Sequence, residues 1–129
     1  MKKIIYSGLA VCLCFIIGFS ELAFAQDKSE IVINGPGSPR AVTVSTAAVT
    51  MNSAGKIHLE AINARLFGPR ANVNYWLYNS GGTLLTQGTL EPQGSVAFGV
   101  NVPAGSYRLY LNCDENNYEC AGYGRLSNY

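Results

Sequence analysis

The sequence predicts an all-β fold, a small antiparallel β-sandwich of about seven strands with immunoglobulin-like organisation, behind an N-terminal export segment. Three observations carry this expectation. Apolar and polar residues alternate with a period of two through most of the chain after residue 40. Clusters rich in Gly, Pro and Asn break the alternation at a spacing of roughly 8 to 12 residues, as in sandwiches and barrels. No stretch there sustains an apolar stripe at helical spacing. A small closed β-barrel built from the same strands is the alternative.

Residues 1–25 have the features of a cleaved signal peptide. Lys2 and Lys3 precede an apolar run from Ile4 to about Phe19, and Ala23-Phe24-Ala25 supplies a small-x-small cleavage site. The run is shorter than the roughly 20 residues of a spanning helix, and it ends without a basic stop-transfer flank. The expectation is therefore a secreted protein with no stable membrane anchor in its mature chain. Cys12 and Cys14 sit within the apolar run behind Val11 and Leu13, where lipid attachment would want small residues, so they leave with the signal peptide.

Residues 26–40 form a flexible lead-in with one edge strand around Ile31-Val32-Ile33, closed by the breaker cluster "NGPGSP" from Asn34 to Pro39. The sandwich domain is expected over residues 41–129. Val42 and Val44 alternate with Thr43 and Ser45, and "NSAG" from Asn52 to Gly55 makes a turn. In "KIHLEAINA" Ile57, Leu59 and Ala61 share one side and His58 and Glu60 the other. "FGPR" (Phe67–Arg70) separates this strand from "ANVNYWLYN" (Ala71–Asn79). "SGG" then turns into "TLLTQGTL" (Thr83–Leu90), with Gly88 as a bulge candidate. After "EPQG", the strand "SVAFGVNV" sends Val96, Phe98, Val100 and Val102 one way; after "PAG", "SYRLYLNC" does the same with Tyr107, Leu109, Leu111 and Cys113. A last strand is expected over Ala121 to Leu126.

Setting aside Lys2, Lys3 and Glu21 leaves seven basic and seven acidic residues. A balance this even, with scattered arginines, gives no electrostatic footprint for a nucleic acid. Cys113 and Cys120 are the cysteines of the mature chain, and in an exported protein an isolated pair forms a disulfide. The expected geometry is a hairpin between the last two strands, closed at its base. Zinc would want four ligands, and the single histidine, His58, is far away in sequence. The loop residues Asp114, Glu115, Asn116, Asn117 and Glu119 offer oxygens, but not at EF-hand spacing, so no metal or other cofactor is expected.

Catalytic chemistry finds few residues to use. His58 is the only candidate base for a nucleophilic triad, and with Glu60 it reads as the wet side of a strand. No nucleophile elbow or phosphate loop is present. The better candidates are surfaces. Asn74, Trp76 and Tyr78 share one face of their strand, and Arg108 and Tyr110 oppose the apolar face of theirs. If the two strands join one sheet, its outer side carries aromatic rings beside amide and guanidinium groups, which suits a glycan or a protein. The competing arrangement turns Trp76 into the core near the disulfide and Tyr75 outward. Alternation alone leaves both open.

Two functional classes follow. One is a secreted, non-catalytic binding module acting on an extracellular glycan or protein through the sheet face of Asn74, Trp76, Tyr78, Arg108 and Tyr110, or through Tyr118 on the disulfide-closed loop. The other is a secreted antagonist, a toxin or peptidase inhibitor, presenting Asn116-Asn117-Tyr118 on the loop clamped by Cys113 and Cys120, since pre-ordering a loop lowers the entropy cost of binding. A small secreted hydrolase is a third class, and the scarcity of titratable groups argues against it.

Overall fold

The computed structural model describes residues 27–35, 41–65, 72–113 and 120–129, and their regular structure is all strand. The strands are β1 (Lys28–Ile33), β2 (Thr43–Ser45), β3 (Val49–Met51), β4 (Gly55–Asn63), β5 (Val73–Asn79), β6 (Leu84–Leu90), β7 (Ser95–Val102), β8 (Gly105–Cys113) and β9 (Gly122–Ser127). One sheet runs β1-β9-β4-β7; the other runs β2-β8-β5-β6, with β3 also on β8. All pairings are antiparallel. The fold is the antiparallel sandwich that the alternation predicts.

The pairings are nested. β5 pairs with β6, β4 with β7, β2 and β3 with β8, and β1 with β9. This is a jelly roll, a long antiparallel hairpin rolled into two layers. It replaces the immunoglobulin-like order of about seven strands, and the layers are two separate sheets, not one closed barrel. Period-two alternation counts strands and says nothing about which of them pair. The count rises partly because β2 and β3 are two pieces of one interrupted edge. Thr46 spans the interruption: its N–H donates to the Leu109 carbonyl at 2.9 Å, and its hydroxyl accepts from the Leu109 N–H at 3.1 Å. The strand expected near Ile31 is β1, and it pairs with β9.

The core lies between the inner faces. Ile57, Leu59 and Leu126 of the four-stranded sheet face Leu77, Leu109 and Leu111 of the other, and all six are essentially inaccessible to water. Tyr75 is buried and its ring meets that of Phe98 on β7 at 6.4 Å between centroids, a contact between the layers. Gly88 faces inward beneath this ring. A Cβ there would collide with the Tyr75 side chain, so glycine serves ring packing and not a bulge. The register shift of the β5–β6 pair falls instead between Leu77 and Tyr78, opposite Thr86 and Leu84.

Two more inward glycines lie on β9. A Cβ on Gly122 would stand 2.8 Å from the Ile62 carbonyl oxygen, and one on Gly124 would stand 2.9 Å from Leu109 Cδ2. At Gly122 the obstacle is the backbone of β4 in the same sheet, with Val73 of the other sheet next at 3.2 Å, and at Gly124 it is Leu109 of the other sheet.

Cys113 and Cys120 form the expected disulfide, with Cα atoms 5.4 Å apart. The hairpin geometry expected around it is not what forms. β8 belongs to the five-stranded sheet and β9 to the four-stranded one, so the bond ties the two layers together at one corner. Asn34, with φ of 52°, braces that corner. Its Nδ2 donates to the Cys120 carbonyl at 3.0 Å and approaches Cys113 Sγ at 3.3 Å, while its Oδ1 accepts from the Ala41 N–H at 2.7 Å.

Two outcomes follow. In an ordinary strand, glycine-to-alanine gains about 0.5–1 kcal/mol from chain entropy. At Gly122 the backbone clash should outweigh that gain, so Gly122→Ala should lower the unfolding free energy in urea by about 1–3 kcal/mol. Replacing both Cys113 and Cys120 by Ser should cost about 2.5 kcal/mol, from the entropy of a closed loop of roughly eight residues. Its far-ultraviolet strand signature should survive.

Candidate binding face of the five-stranded sheet

Adjacency of β5 and β8 brings Asn74, Trp76, Tyr78, Arg108 and Tyr110 of the sequence-predicted site onto one outer face. The register lays them out in cross-strand rows. The first row is Thr43, Asn112, Asn74 and Thr89; the second is Ser45, Tyr110, Trp76 and Gln87; the third pairs Arg108 with Tyr78 and Leu84. Trp76 is half-buried and points outward, while Tyr75 points inward, which resolves the ambiguity left by alternation.

Neighbours within the rows hold one another. The Trp76 indole N–H donates to Gln87 Oε1 at 3.1 Å, fixing the plane of the ring. The Thr89 hydroxyl donates to Asn74 Oδ1 at 2.6 Å, and Asn112 Nδ2 donates to the Thr43 hydroxyl at 2.7 Å. Across the diagonal, the rings of Tyr78 and Tyr110 pack edge to face, with centroids 5.5 Å apart and planes at 88°. Such pairs contribute about 0.5–1.5 kcal/mol beyond area burial. The result is a wall of three aromatic side chains whose orientations are largely set before any ligand arrives.

Two open depressions adjoin the wall. One, of about 380 Å³, lies over Asn74, Trp76, Gln87 and Thr89. The larger, of about 510 Å³, lies between Tyr78, Tyr110, Arg108 and the β5–β6 turn, with Ser80 and Ser106 on its rim. The turn is a three-residue hairpin loop, with Gly82 at φ of 83°. The Asn79 side-chain oxygen accepts from the Thr83 N–H at 2.8 Å, and the Ser80 N–H donates to the Ser106 carbonyl at 2.9 Å, which fastens the rim to β8. β2, β3, β5, β6 and β8 contain one charged residue between them, Arg108, and it is exposed.

The outer face of the other sheet is built differently. Glu30, Arg125 and Glu60 form one cross-strand row. Arg125 Nε stands 3.9 Å from Glu30 Oε1, too far for a hydrogen bond, and both side chains are about a third exposed or more, so the pair contributes at most about 1 kcal/mol. The Tyr123 phenol is pushed above its ordinary 10.0, first by burial, then by its hydrogen bond to Glu30 and the charges of Glu30 and Glu60, with Arg125 opposing. His58 is exposed two residues before Glu60, beside a depression of about 210 Å³ that Arg125 and Tyr129 also line. Among the described residues, no three His, Cys, Asp or Glu side chains gather as metal ligands would. Tyr118 and the acidic loop residues 114–119 lie outside the described residues, and so do residues 1–25.

Sequence reasoning reached the aromatic residues and Arg108 but missed Gln87, Thr89 and Thr43, the residues that hold the face in place. Their role depends on β6 and β2 flanking β5 and β8, and only the register supplies that.

No protein-family model matches the chain, and no curated protein matches it in sequence. Solved structures do match. One is the pre-peptidase C-terminal domain of a collagenase from Bacillus anthracis, 16% identical over 78% of this chain and 86% of that domain, with a TM-score of 0.51. Another is the C-terminal CBM6 of LamC, a marine laminarinase from Zobellia galactanivorans, 16% identical over 79% of this chain and 98% of that one, with a TM-score of 0.50. At such identity the likeness is one of fold. The class so defined is a small antiparallel β-sandwich domain.

The phenol of Tyr123 gives a test of the local electrostatics. Its folded value lies above 10.0, so the stability it contributes is fully present below pH 10 and is lost as pH rises through the folded value. Glu30→Gln removes the acceptor charge and should bring the Tyr123 titration, followed by ultraviolet difference absorbance against a Tyr123→Phe control, back toward its ordinary value.

Proposed function

We propose that the protein is a secreted, non-catalytic module that binds a glycan on the outer face of the five-stranded sheet. The observation that carries this reading is the wall of Trp76, Tyr110 and Tyr78, held by cross-strand hydrogen bonds and edged by Asn74, Asn112 and Arg108. Pyranose rings present apolar C–H patches that stack on aromatic faces, while their hydroxyls take hydrogen bonds from amide and guanidinium groups. A pre-oriented wall spends little side-chain entropy on binding. Large, half-buried aromatic residues are also the residue types that dominate binding energy at interfaces.

Supporting considerations come from outside the face. The signal-like residues 1–25 and the Cys113–Cys120 bond suit an oxidising, extracellular setting. The CBM6 of similar fold comes from a laminarinase, which offers a carbohydrate-binding role by analogy of fold. Hydrolysis of a glycosidic bond calls for two carboxyl groups flanking the substrate. The strands of this face carry no Asp or Glu.

Trp76→Ala should weaken binding to polysaccharides on an array of plant, algal and cell-wall polymers at least tenfold, equivalent to about 1.4 kcal/mol. Tyr110→Ala, which also removes the partner of Tyr78, should do the same. Both proteins should stay folded, and Tyr110→Ala should lose no more in urea than the roughly 0.5–1.5 kcal/mol of the ring pair, because both side chains face away from the core. Wild-type affinity in both variants would rule out this face.

A further inference from the structure

We propose that the glycan is anionic, and that Arg108 reads an oxyanion, a uronate carboxylate or a sulfate ester, on the sugar seated over Tyr78 and Tyr110. This rests on the binding face argued above and specifies its ligand class. The contrast between the two sheets points to it. On the four-stranded sheet, Arg125 sits in register between Glu30 and Glu60. Arg108 has Tyr78 as its cross-strand neighbour on β5. On its other side the chain is interrupted between β2 and β3, at Thr46, Ala47 and Ala48.

Among the described residues, no hydrogen bond or ion pair engages the Arg108 guanidinium. It is the one charged group in five strands, so no carboxylate of that sheet competes for it. Glu91 follows the far end of β6, opposite Val73, and the Asp27 carboxylate accepts from the Thr50 N–H at 3.1 Å. Arg108 also lines the larger depression, whose rim residues Ser80 and Ser106 bring hydroxyls. The Asn79 oxygen is already committed to Thr83, which leaves that amide its N–H donors. The site thus joins a fixed positive charge to aromatic rings, hydroxyls and an amide N–H group. A guanidinium fork matches a planar carboxylate or a sulfate with two parallel hydrogen bonds, and a neutral hydroxyl uses only part of it.

The test compares affinities for polygalacturonate, its fully methyl-esterified form and κ-carrageenan, using wild type, Arg108→Gln and Trp76→Ala. Wild type should prefer a charged polymer over the ester by about tenfold or more, and the preference should shrink as salt rises from ~50 to ~500 mM. Arg108→Gln should bring the ratio of charged to neutral affinity to about one, whereas Trp76→Ala should weaken charged and neutral binding alike and keep the ratio. Preference for polygalacturonate would assign the oxyanion as a carboxylate, and preference for carrageenan as a sulfate. Equal wild-type affinity for charged and neutral polymers, binding of neither charged polymer, or a ratio unchanged by Arg108→Gln would overturn the inference. If Trp76→Ala weakens binding while Arg108→Gln leaves the ratio intact, the face stands and only its anionic preference fails. Wild-type binding in both Trp76→Ala and Tyr110→Ala removes the face itself.

Discussion

Close approach of the two sheets at β9 is the constraint on which the rest of the molecule depends. Gly122 and Gly124 leave two successive inward positions of a central strand without side chains, so Leu109 and Leu111 of β8 and Val73 of β5 pack directly against the backbone there. β9 lies between β1 and β4, and β8 lies between β5 and the β2–β3 edge. Contact between these two interior strands therefore sets the separation of the layers along their length. A bulkier β9 would require the partner sheet to move outward or its leucines to leave their rotamers. Packing at crystal-like density tolerates neither cheaply.

Polar groups at the margins complete the same structure. Asn34 satisfies a carbonyl and an N–H at the corner where the disulfide joins the sheets. Asn63, fully buried at the end of β4, donates to the Leu90 carbonyl at 2.9 Å and accepts from the Arg65 N–H at 3.0 Å. Thr46 carries the ladder across the interruption between β2 and β3. Each of these side chains stands in for backbone partners where regular pairing stops, and leaving such groups unpaired would cost about 1–3 kcal/mol apiece. Sheet ends in this domain are thus tied by short polar side chains, and the apolar core does not have to extend to them.

Local features of the fold were legible in the sequence, and non-local ones were not. Alternation at Ile57, Leu59 and Ala61, or at Tyr107, Leu109 and Leu111, identifies inward faces because the pleat has a period of two. The same pattern is silent on partners. The segment from Cys113 to Cys120 looks like a hairpin because consecutive strands are neighbours about two-thirds of the time, yet here the chain crosses to the other layer. Gly88 invites a bulge, but its reason lies across the pair in the ring of Tyr75. Trp76 could not be oriented from its own strand, because both faces of "VNYWLY" carry an aromatic ring. The glycine opposite Tyr75 and the glutamine opposite Trp76 decide the matter, and each is contributed by β6.

Nesting of the strand pairs also has a temporal side. The β5–β6 hairpin closes within a short stretch of chain, whereas the β1–β9 pair joins Lys28 to Ser127, about a hundred residues apart. Loop closure of that span adds only a slowly growing entropy cost, but topologies rich in such distant contacts assemble slowly. During synthesis β1 exists long before its partner, and β4 must likewise wait with one edge open until β9 appears. Assembly from the centre outward leaves completion of the four-stranded sheet by β9 until last, whereas β5, β6 and β8, which carry Trp76, Tyr78, Arg108 and Tyr110, can pair as soon as β8 has emerged. The order in which the chain becomes available thus favours the candidate face being built before the domain is closed.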